Sequence, residues 1–393
     1  MAKITLPPIN AGIASQATLN TNFSSVEDAL NDNVLYRDNP TGSPNAMQQA
    51  LDMNSNDINN IDYIHTQGIT LNGVALTHAS TLVTDEIILV PIVADMKLLS
   101  PPANSTIQTK GYYTAGDGGG ATYLIKTAAA FGGTPDGYGD HSLANGNVAV
   151  LQHDGSVNVK QFGAKGDGVT DSHAALLALW EHCQPNGFNI YFPSGTFLVV
   201  DENFPFRNTQ LPVTSLLDCN NLTVYGDGAS SILKTSTVTG GDVLQTNGLK
   251  NYHIRNLHLK SVISGTSAGS NGISITGGFD NITVDRVWAT NLAYVDKGIY
   301  VDGGGALSIQ SPEDTDPITL GSFKATNIFA EGCAYGFQYS CDHDLNLTHP
   351  ISVDVDVVAS NCQYGMVYSA AAATATTLSK LITKSAIKIV LMA

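Results

Sequence analysis

In the C-terminal half of the chain, apolar residues alternate with polar ones in runs of three to five, separated by Gly, Asn and Asp. A period of two predicts short strands joined by tight turns. The runs also recur. Asn221, Asn251 and Asn281 open NLTV, NYHIRNLHLKS and NITVDRVWATN at intervals of 30 residues, ITVDRVWATN matches ITLGSFKATN from Ile318, and VVASN ends on Asn361 beyond Asn327. A second column joins NGISI, KGIYV, YGFQY and YGMVY through Gly272, Gly298, Gly336 and Gly365. A unit of about 30 residues buries too little apolar surface to stand alone, so such units must stack around one continuous interior. The pattern predicts a mainly β chain built as a β-solenoid. Ile254, Val284 and Leu320 would share one inner wall and Ile273, Ile299, Phe337 and Met366 another, with Asn at the corners tolerating left-handed backbone. A β-sandwich of short strands is the rival, but it gives no reason for Asn and Gly to recur in register.

Helical periodicity appears upstream. Leu176, Leu179, Trp180 and Cys183 fall on one face of a helix predicted over Ser172 to Cys183, with Thr170 or Asp171 as its N-cap. The helix follows a strand, VNVKQF, and a turn, GAKGDG, and it precedes NIYFPSGTFLV, where coils begin. A solenoid exposes unpaired backbone at its first coil, and an amphipathic helix there would cover it. Gly163, Gly166 and Gly168 fit neither the dinucleotide nor the P-loop spacing, so the turn is a corner and not a phosphate cradle. Further upstream, DEIILVPIVADMKLLSPP predicts a strand and a short helix stopped by Pro101 and Pro102. KGYYTAGDGGGATYLI predicts two strands joined by Gly116 to Gly120. Between Ile13 and Val34 the residues Leu19, Phe23, Val26 and Leu30 make a narrow helical stripe, which suits either a self-associating bundle or an ordinary surface helix. Met47 to Ile64 is too polar to form a core.

With 393 residues, 43% hydrophobic and only 13% charged, the chain can bury a sizeable core in two or three domains. The 34 acidic against 18 basic residues give a net charge of −16, which repels phosphate backbones and anionic lipid heads, so no nucleic acid is expected as partner. No run approaches the roughly 18 apolar residues of a membrane span, and MAKITLPPINAGIA lacks the pattern of a signal peptide; no membrane insertion is expected of a chain made in the cytoplasm. Five cysteines, Cys183, Cys219, Cys333, Cys341 and Cys362, show no CxxC spacing, and they read as small core residues instead of a disulfide framework or zinc site. DTD at 314–316 and DHD at 342–344 are too short for a calcium loop. No metal and no cofactor is expected.

FGAKGDGVTDSHAAL followed by YFPSGTFLV resembles the start of the right-handed parallel β-helix of the pectate-lyase-like superfamily, found in bacteriophage tailspikes. VADMKLLSPP with KGYYTAGDGGGATYLI is similar to the small β-domain that precedes that helix in many tailspikes. The stretch ITLPPINAGIASQATLNTNFSSVEDALNDNVLYRDNP, with QQALDMNSNDINNI, resembles the virion-anchoring N-terminus of podophage tail fibres. The resemblance implies a homotrimer on the phage virion, attached through residues near its N-terminus to tail or adaptor proteins and presenting a β-helix to bacterial surface polysaccharide. The domain layout expected is 1–80 anchor with short helices, 81–155 small β-domain, 156–368 capped β-helix and 369–393 an unassigned tail, in which Lys380, Lys384 and Lys388 have helical spacing. The function expected is host attachment, or service as an adaptor for another tail fibre protein. The alternative is a capsule or lipopolysaccharide depolymerase, a glycoside hydrolase or polysaccharide lyase.

Depolymerases of this superfamily are implied to use carboxylates on the outer face. A glycoside hydrolase needs two carboxyl groups about 5 to 9.5 Å apart, and coils lie about 4.8 Å apart, so acids stacked in one column would suffice. In the expected register Asp285 stacks between Arg255 and Gly321, and Asp302 with Thr276, Ser340 and Ser369, so neither column holds a pair. Asp285, Asp296, Asp302 and Glu331 are the catalytic candidates for a pair formed across columns or across a subunit boundary, and each also reads as a solvated acid. Trp288, Tyr300 and Phe329 point outward by alternation, which suits stacking on sugars and equally burial in trimer contacts. Trp288, Tyr300, Arg255 and His253 are the substrate-binding candidates, the last two within a basic stripe, His253, Arg255, His258 and Lys260.

Overall fold

The computed structural model describes residue 17 and residues 20–26, 69–71, 74–76, 87–200, 203–209, 215–237, 242–263, 270–292, 294–296, 299–302, 304–310, 321–341, 352–370, 377–378 and 388–392. The chain divides into Met1–Ala75 and Leu76–Ala393. In the first part residues 20–26 are helical, Phe23 of the expected stripe is 68% exposed, and the Thr21 and Ser25 hydroxyls donate to carbonyls one turn back at 2.9 Å. Strands β1 (Ile69–Leu71) and β2 (Val74–Leu76) pair with each other. Leu19 and Leu30 of the stripe, and the polar segment from Met47 to Ile64, fall outside the described residues.

The second part opens with a small sheet. Strand β3 (Ile87–Ile92) leads into helix α1 (Val93–Lys97), and β4 (Thr106–Gly111) and β5 (Thr122–Lys126) flank the glycine-rich turn. Helix α2 (Ala128–Phe131), β6 (His141–Ser142) and β7 (Val148–Gln152) complete the order β3-β4-β5-β7-β6. The turn closes on Asp117, whose carboxylate accepts the N–H groups of Tyr112, Tyr113, Thr114 and Gly119 at 2.8–3.0 Å. Burial pushes that carboxyl up, but the four amides outweigh it and hold it below the ordinary range.

Strand β8 (Ser156–Asn158), a short 3₁₀ turn over Val159–Phe162, β9 (Asp167–Asp171) and helix α3 (His173–Cys183) form the cap. Leu176, Leu179 and Cys183 are fully buried and Trp180 nearly so, as the helical spacing requires. The N-cap is Ser172, not Thr170 or Asp171. Its hydroxyl is drawn to the Lys165 amide at 3.2 Å, while Asp171 accepts the His173 N–H at 3.0 Å. The corner at Gly163 is left-handed, with φ +86°, and a Cβ there would meet the Tyr112 ring at 2.8 Å. Only glycine fits where the small sheet lies against the cap.

Strands β10 (Asn189–Phe192), β11 (Gly195–Val200), β12 (Leu217–Gly226), β13 (Ser231–Thr237), β14 (Leu244–Ile263) and β15 (Ile273–Thr290) begin the coils. After a hairpin of β16 (Tyr294–Asp296) and β17 (Ile299–Asp302), the coils continue through β18 (Gly305–Gln310), β19 (Ser322–Glu331), β20 (Tyr335–Cys341), β21 (Ser352–Ser360), β22 (Tyr364–Ala370), β23 (Thr377–Leu378) and β24 (Lys388–Met392). Each coil pairs in parallel with the next, which makes a parallel β-solenoid. One inner column reads Ile190, Val224, Ile254, Val284, Ala325, Val355. Another reads Ile273, Leu307, Phe337, Met366.

Two columns are thereby corrected. Ala325, not Leu320, follows Val284: Ile282 pairs with Phe323, so the likeness of ITLGSFKATN to ITVDRVWATN runs five residues out of register. The alternation that fixes the strand is Phe323, Ala325, Ile328 and Ala330 inward. Leu307, not Ile299, follows Ile273, because Ile299 lies in the antiparallel hairpin of β16 and β17. The corner asparagines fare better. Asn221, Asn251 and Asn281 have φ of 63°, 53° and 51°, and the side-chain amides of Asn251 and Asn281 donate to Asp218 at 2.9 Å and to Asn251 at 2.8 Å. Asn361 sits above Gly332 instead of Asn327, since Glu331 pairs with Ser360.

Stacking also runs past Ser369. Residues 388–392, an apolar KIVLM run, pair in parallel with β22, so Lys388 lies on a strand and not on a helix; Lys380 and Lys384 are outside the described residues. Among the described residues no helix is long and apolar enough to cross a membrane.

Candidate functional site

Along each coil the residues between inward ones face out, and register turns them into ladders. On one wall the outer ladder reads Tyr191, Tyr225, Arg255, Asp285, Thr326. Around the next corner a second ladder reads His258, Trp288, Phe329. Asn256, Arg286 and Asn327 form the corner between them, with φ of 55°, 51° and 57°. These ladders put aromatic, cationic and acidic groups on one outer strip.

The strip is tied from coil to coil. The Tyr191 and Tyr225 rings lie 5.2 Å apart at 31°, and the Arg255 guanidinium sits 5.2 Å over the Tyr225 ring. The Tyr191 hydroxyl donates to Asp227 at 2.8 Å; burial first, and this bond second, push it up to about 12. Asp227 also accepts the Ser194 N–H at 2.9 Å. Trp288 and Phe329 stack with ring centroids 5.5 Å apart at 15°, and Phe329 is 36% exposed. His258 bridges this ladder to its neighbours through the Ala229 carbonyl at 3.2 Å and the Thr290 hydroxyl at 2.8 Å. Burial holds His258 below its ordinary range.

Asp285 is the acid within the ladder itself. Its carboxylate accepts from Thr326 Oγ1 at 2.8 Å and Asn327 Nδ2 at 2.9 Å, and Arg286 Nη2 lies 3.0 Å from its other oxygen. Burial pushes the carboxyl up, yet the bonds from Asn327 and Thr326, with the charges of Arg286 and Arg255, hold it below the ordinary range. These partners favour the carboxylate form of Asp285, which suits a base or nucleophile better than a proton donor. Arg286 Nε in turn donates to Asn256 at 2.7 Å, so the guanidinium clamps two corners. Arg286 is the one residue of the described left-handed corners that is neither Asn nor Gly, and a side chain kept at that conformation points to a use for it.

The structure brings together four of the named candidates and separates the rest. Arg255, Asp285 and Trp288 line the strip. His253 stands two residues before Arg255, bonded to Thr283 at 2.7 Å, and burial together with Arg255 lowers its pKa. Glu331 is exposed at the end of β19, in a ladder with Thr290 and Ser360, two residues beyond Phe329. Asp296, Tyr300 and Asp302 fall on the β16–β17 hairpin, where Asp296 faces Ile299 and Asp302 faces Tyr294. Asp302 is thus not stacked with Thr276, Ser340 and Ser369; Gln310 takes the place beneath Ser340 and Ser369. The neighbour of Asp285 is Thr326 and not Gly321. Among the described residues no ladder stacks two carboxylates on adjacent coils. Tyr191, Tyr225 and Asp227 were not foreseen, although the alternation of NIYF and LTVYG places both tyrosines outward.

One group of described residues could hold a metal. Asp136, Asp140 and His182 place ligand atoms within 4.8 Å of one another between the small sheet and helix α3. Asp136 already accepts the N–H groups of Tyr138, Gly139 and Asp140, and His182 Nε2 already lies 3.1 Å from His153 Nε2.

A family model described as rhamnogalacturonase A/epimerase, pectate lyase-like, matches residues 156–383. No curated protein matches the chain. Among solved structures, the chain is similar to tailspike protein gp49 of Acinetobacter baumannii bacteriophage Fri1, a capsular polysaccharide depolymerase, at 16% identity and TM-score 0.50, covering 75% of this chain and 52% of that one. It also matches Pantoea stewartii WceF, a glycan biofilm modifying enzyme with a tailspike-like parallel β-helix, at 16% identity and TM-score 0.39, covering 76% and 47%. A third is tailspike protein 2 of bacteriophage CBA120, at 13% identity and TM-score 0.41, covering 74% and 48%. The chain spans about half the length of each.

Proposed function

We propose, from the premise that the chain belongs to the rhamnogalacturonase A/epimerase, pectate lyase-like family, that it is a phage tailspike or tail fibre protein whose coil stack binds bacterial surface polysaccharide. The observation that carries this reading is the outer strip, where Tyr191, Tyr225 and the stacked Trp288–Phe329 pair line up beside Arg255 and Arg286. Aromatic faces take the apolar faces of sugar rings, and fixed guanidinium and carboxylate groups take their hydroxyls. In this reading the protein is a homotrimer on the virion, held through its N-terminal region by a tail or adaptor protein. It acts in attachment, or as an adaptor for another tail fibre.

The second reading is a depolymerase, favoured by the function of gp49 of phage Fri1, which shares the fold. Against it stands Asp285, the acid within the ladder. Its carboxylate is suited to a base or nucleophile, but no second carboxylate stacks with it among the described residues to supply the proton. Purified protein incubated with host capsule separates the two readings, with retained polysaccharide and new reducing or unsaturated ends measured together. Retention without new ends is the expected result. Released oligosaccharide would replace attachment by cleavage, and absence of both retention and new ends would remove both.

A further inference from the structure

Cys333 and Cys362 occupy the same point of successive coils. Tyr335 pairs in register with Tyr364, which sets the two cysteines, each two residues earlier, one above the other. Each directly follows a left-handed corner residue, Gly332 with φ 64° and Asn361 with φ 52°, so the two backbones enter the position alike. Hydrogen bonds bracket the pair: Gly332 N–H donates to Ser360 O at 3.2 Å and Gln363 N–H to Cys333 O at 3.3 Å. The column begins at Leu292, a fully buried side chain, so the place is built for one apolar group per coil. In these two coils it holds sulfur instead.

We infer that Cys333 and Cys362 form a redox-responsive pair that closes to a disulfide between adjacent coils when a low-molecular-weight disulfide such as oxidised glutathione is present. Stacked coils lie about 4.8 Å apart, inside the window of about 4.4 to 6.8 Å that Cα atoms of a disulfide span. The two thiols are free, and each follows the same local pattern, Cys333 Sγ lying 3.6 Å from the Glu331 carbonyl and Cys362 Sγ 3.4 Å from the Ser360 carbonyl, two residues earlier in each coil. Their exposures differ in the way the chemistry needs. Cys333 is buried, its thiol 3.6 Å from the Ala289 and Glu331 carbonyls, while Cys362 is half-buried and can be reached from outside. The Cys333 thiol beside it also holds the Cys362 thiol below its ordinary range against the opposing effect of burial.

The reaction is an exchange in two steps. Cys362 thiolate attacks one sulfur of the oxidant, forms a mixed disulfide and expels one thiolate. Cys333 then loses its proton to solvent, attacks the Cys362 sulfur and expels the second thiolate. Two protein thiols are oxidised by two electrons, and one external disulfide is reduced to two thiols. The bond would tie the coil that carries Phe329 and Glu331 to the one above it and close a loop of about 30 residues, a length at which a disulfide raises the melting temperature of a chain of this size by roughly 5 °C.

The test uses the full chain and a variant with Cys183, Cys219 and Cys341 replaced by Ala, each native and treated with oxidised glutathione. The expected result is loss of two free thiols in both, a peptide joining Cys333 to Cys362, and a melting temperature that rises on oxidation and falls back with a reductant. Cys362→Ser should keep its thiols under the same treatment. Retention of all thiols, a stable glutathione adduct on Cys362, or loss of two thiols in Cys362→Ser would each overturn the pairing.

Discussion

At the junction of the small sheet with the cap, the contacts are particular to single residues. Phe162 is fully buried against Gly139, where a Cβ would lie 2.3 Å from its ring, and Gly163 turns under Tyr112. In the coil stack the same place is offered again and again. The column from Ile190 to Val355 accepts Ile, Val or Ala, and three corners accept Asn, Gly or once Arg. A stack is a sum of neighbour contacts, so one substitution is felt mainly by the coils on either side. A junction is a jigsaw, so one substitution is felt by everything packed there.

Truncation should expose this difference most strongly. Phe162→Ala should cost about 3 to 5 kcal/mol, seen as one early transition in denaturant for the whole cap. Val284→Ala should cost about 2 kcal/mol and, by hydrogen exchange, loosen only the coils next to it. Equal spreading of the two effects would erase the contrast.

Acid should act next, again at the small sheet. His141 is 1% exposed, packed among the Tyr112 and Tyr123 rings, and burial lowers it from 6.5 to about 4. The unfolded chain therefore holds more protons than the folded one between those values. Stability is full above pH 6.5 and falls as the pH drops towards 4, by up to about 3 kcal/mol. His141→Phe should flatten melting temperature across that window, and an unchanged slope would assign the acid loss elsewhere.

Corner substitutions are expected to be smaller. Asn251→Ala, at φ 53° and with two ladder bonds, should cost about 2 kcal/mol. Arg286→Asn restores the residue of the neighbouring corners and should change stability by less than about 1 kcal/mol while weakening polysaccharide retention. A large stability loss with unchanged retention would make Arg286 structural. Least of all, Lys324→Ala breaks a 4.0 Å pair with Asp354 whose side chains are 59% and 42% exposed, and it should shift stability by under about 0.5 kcal/mol.

How much of this was legible follows the same divide. The Asn221, Asn251, Asn281 rung is visible because three coils run without insertions, and the φ values show why Asn is retained. Leu320 and Ile299 were misplaced because insertions before β19 and within the β16–β17 hairpin carry apolar alternation of their own, and local likeness cannot tell a strand in the stack from a strand beside it. At the cap, the helix face was readable from Leu176 to Cys183, but its N-cap moved to Ser172 because three adjacent polar residues compete and tertiary bonds decide. Arg255, Asp285 and Trp288 were readable as outward. Tyr191, Tyr225 and Asp227 emerge only when register puts separate strands side by side.

The chain has two tryptophans, one for each region: Trp180, 5% exposed in the cap, and Trp288 on the strip. Fluorescence of the Trp180→Phe variant, titrated with purified host surface polysaccharide and quenched with iodide, reports on Trp288 alone. The account predicts a saturable change in emission and protection from iodide as the strip is covered. Polysaccharide that is retained by the protein while Trp288 stays equally open to iodide would contradict it.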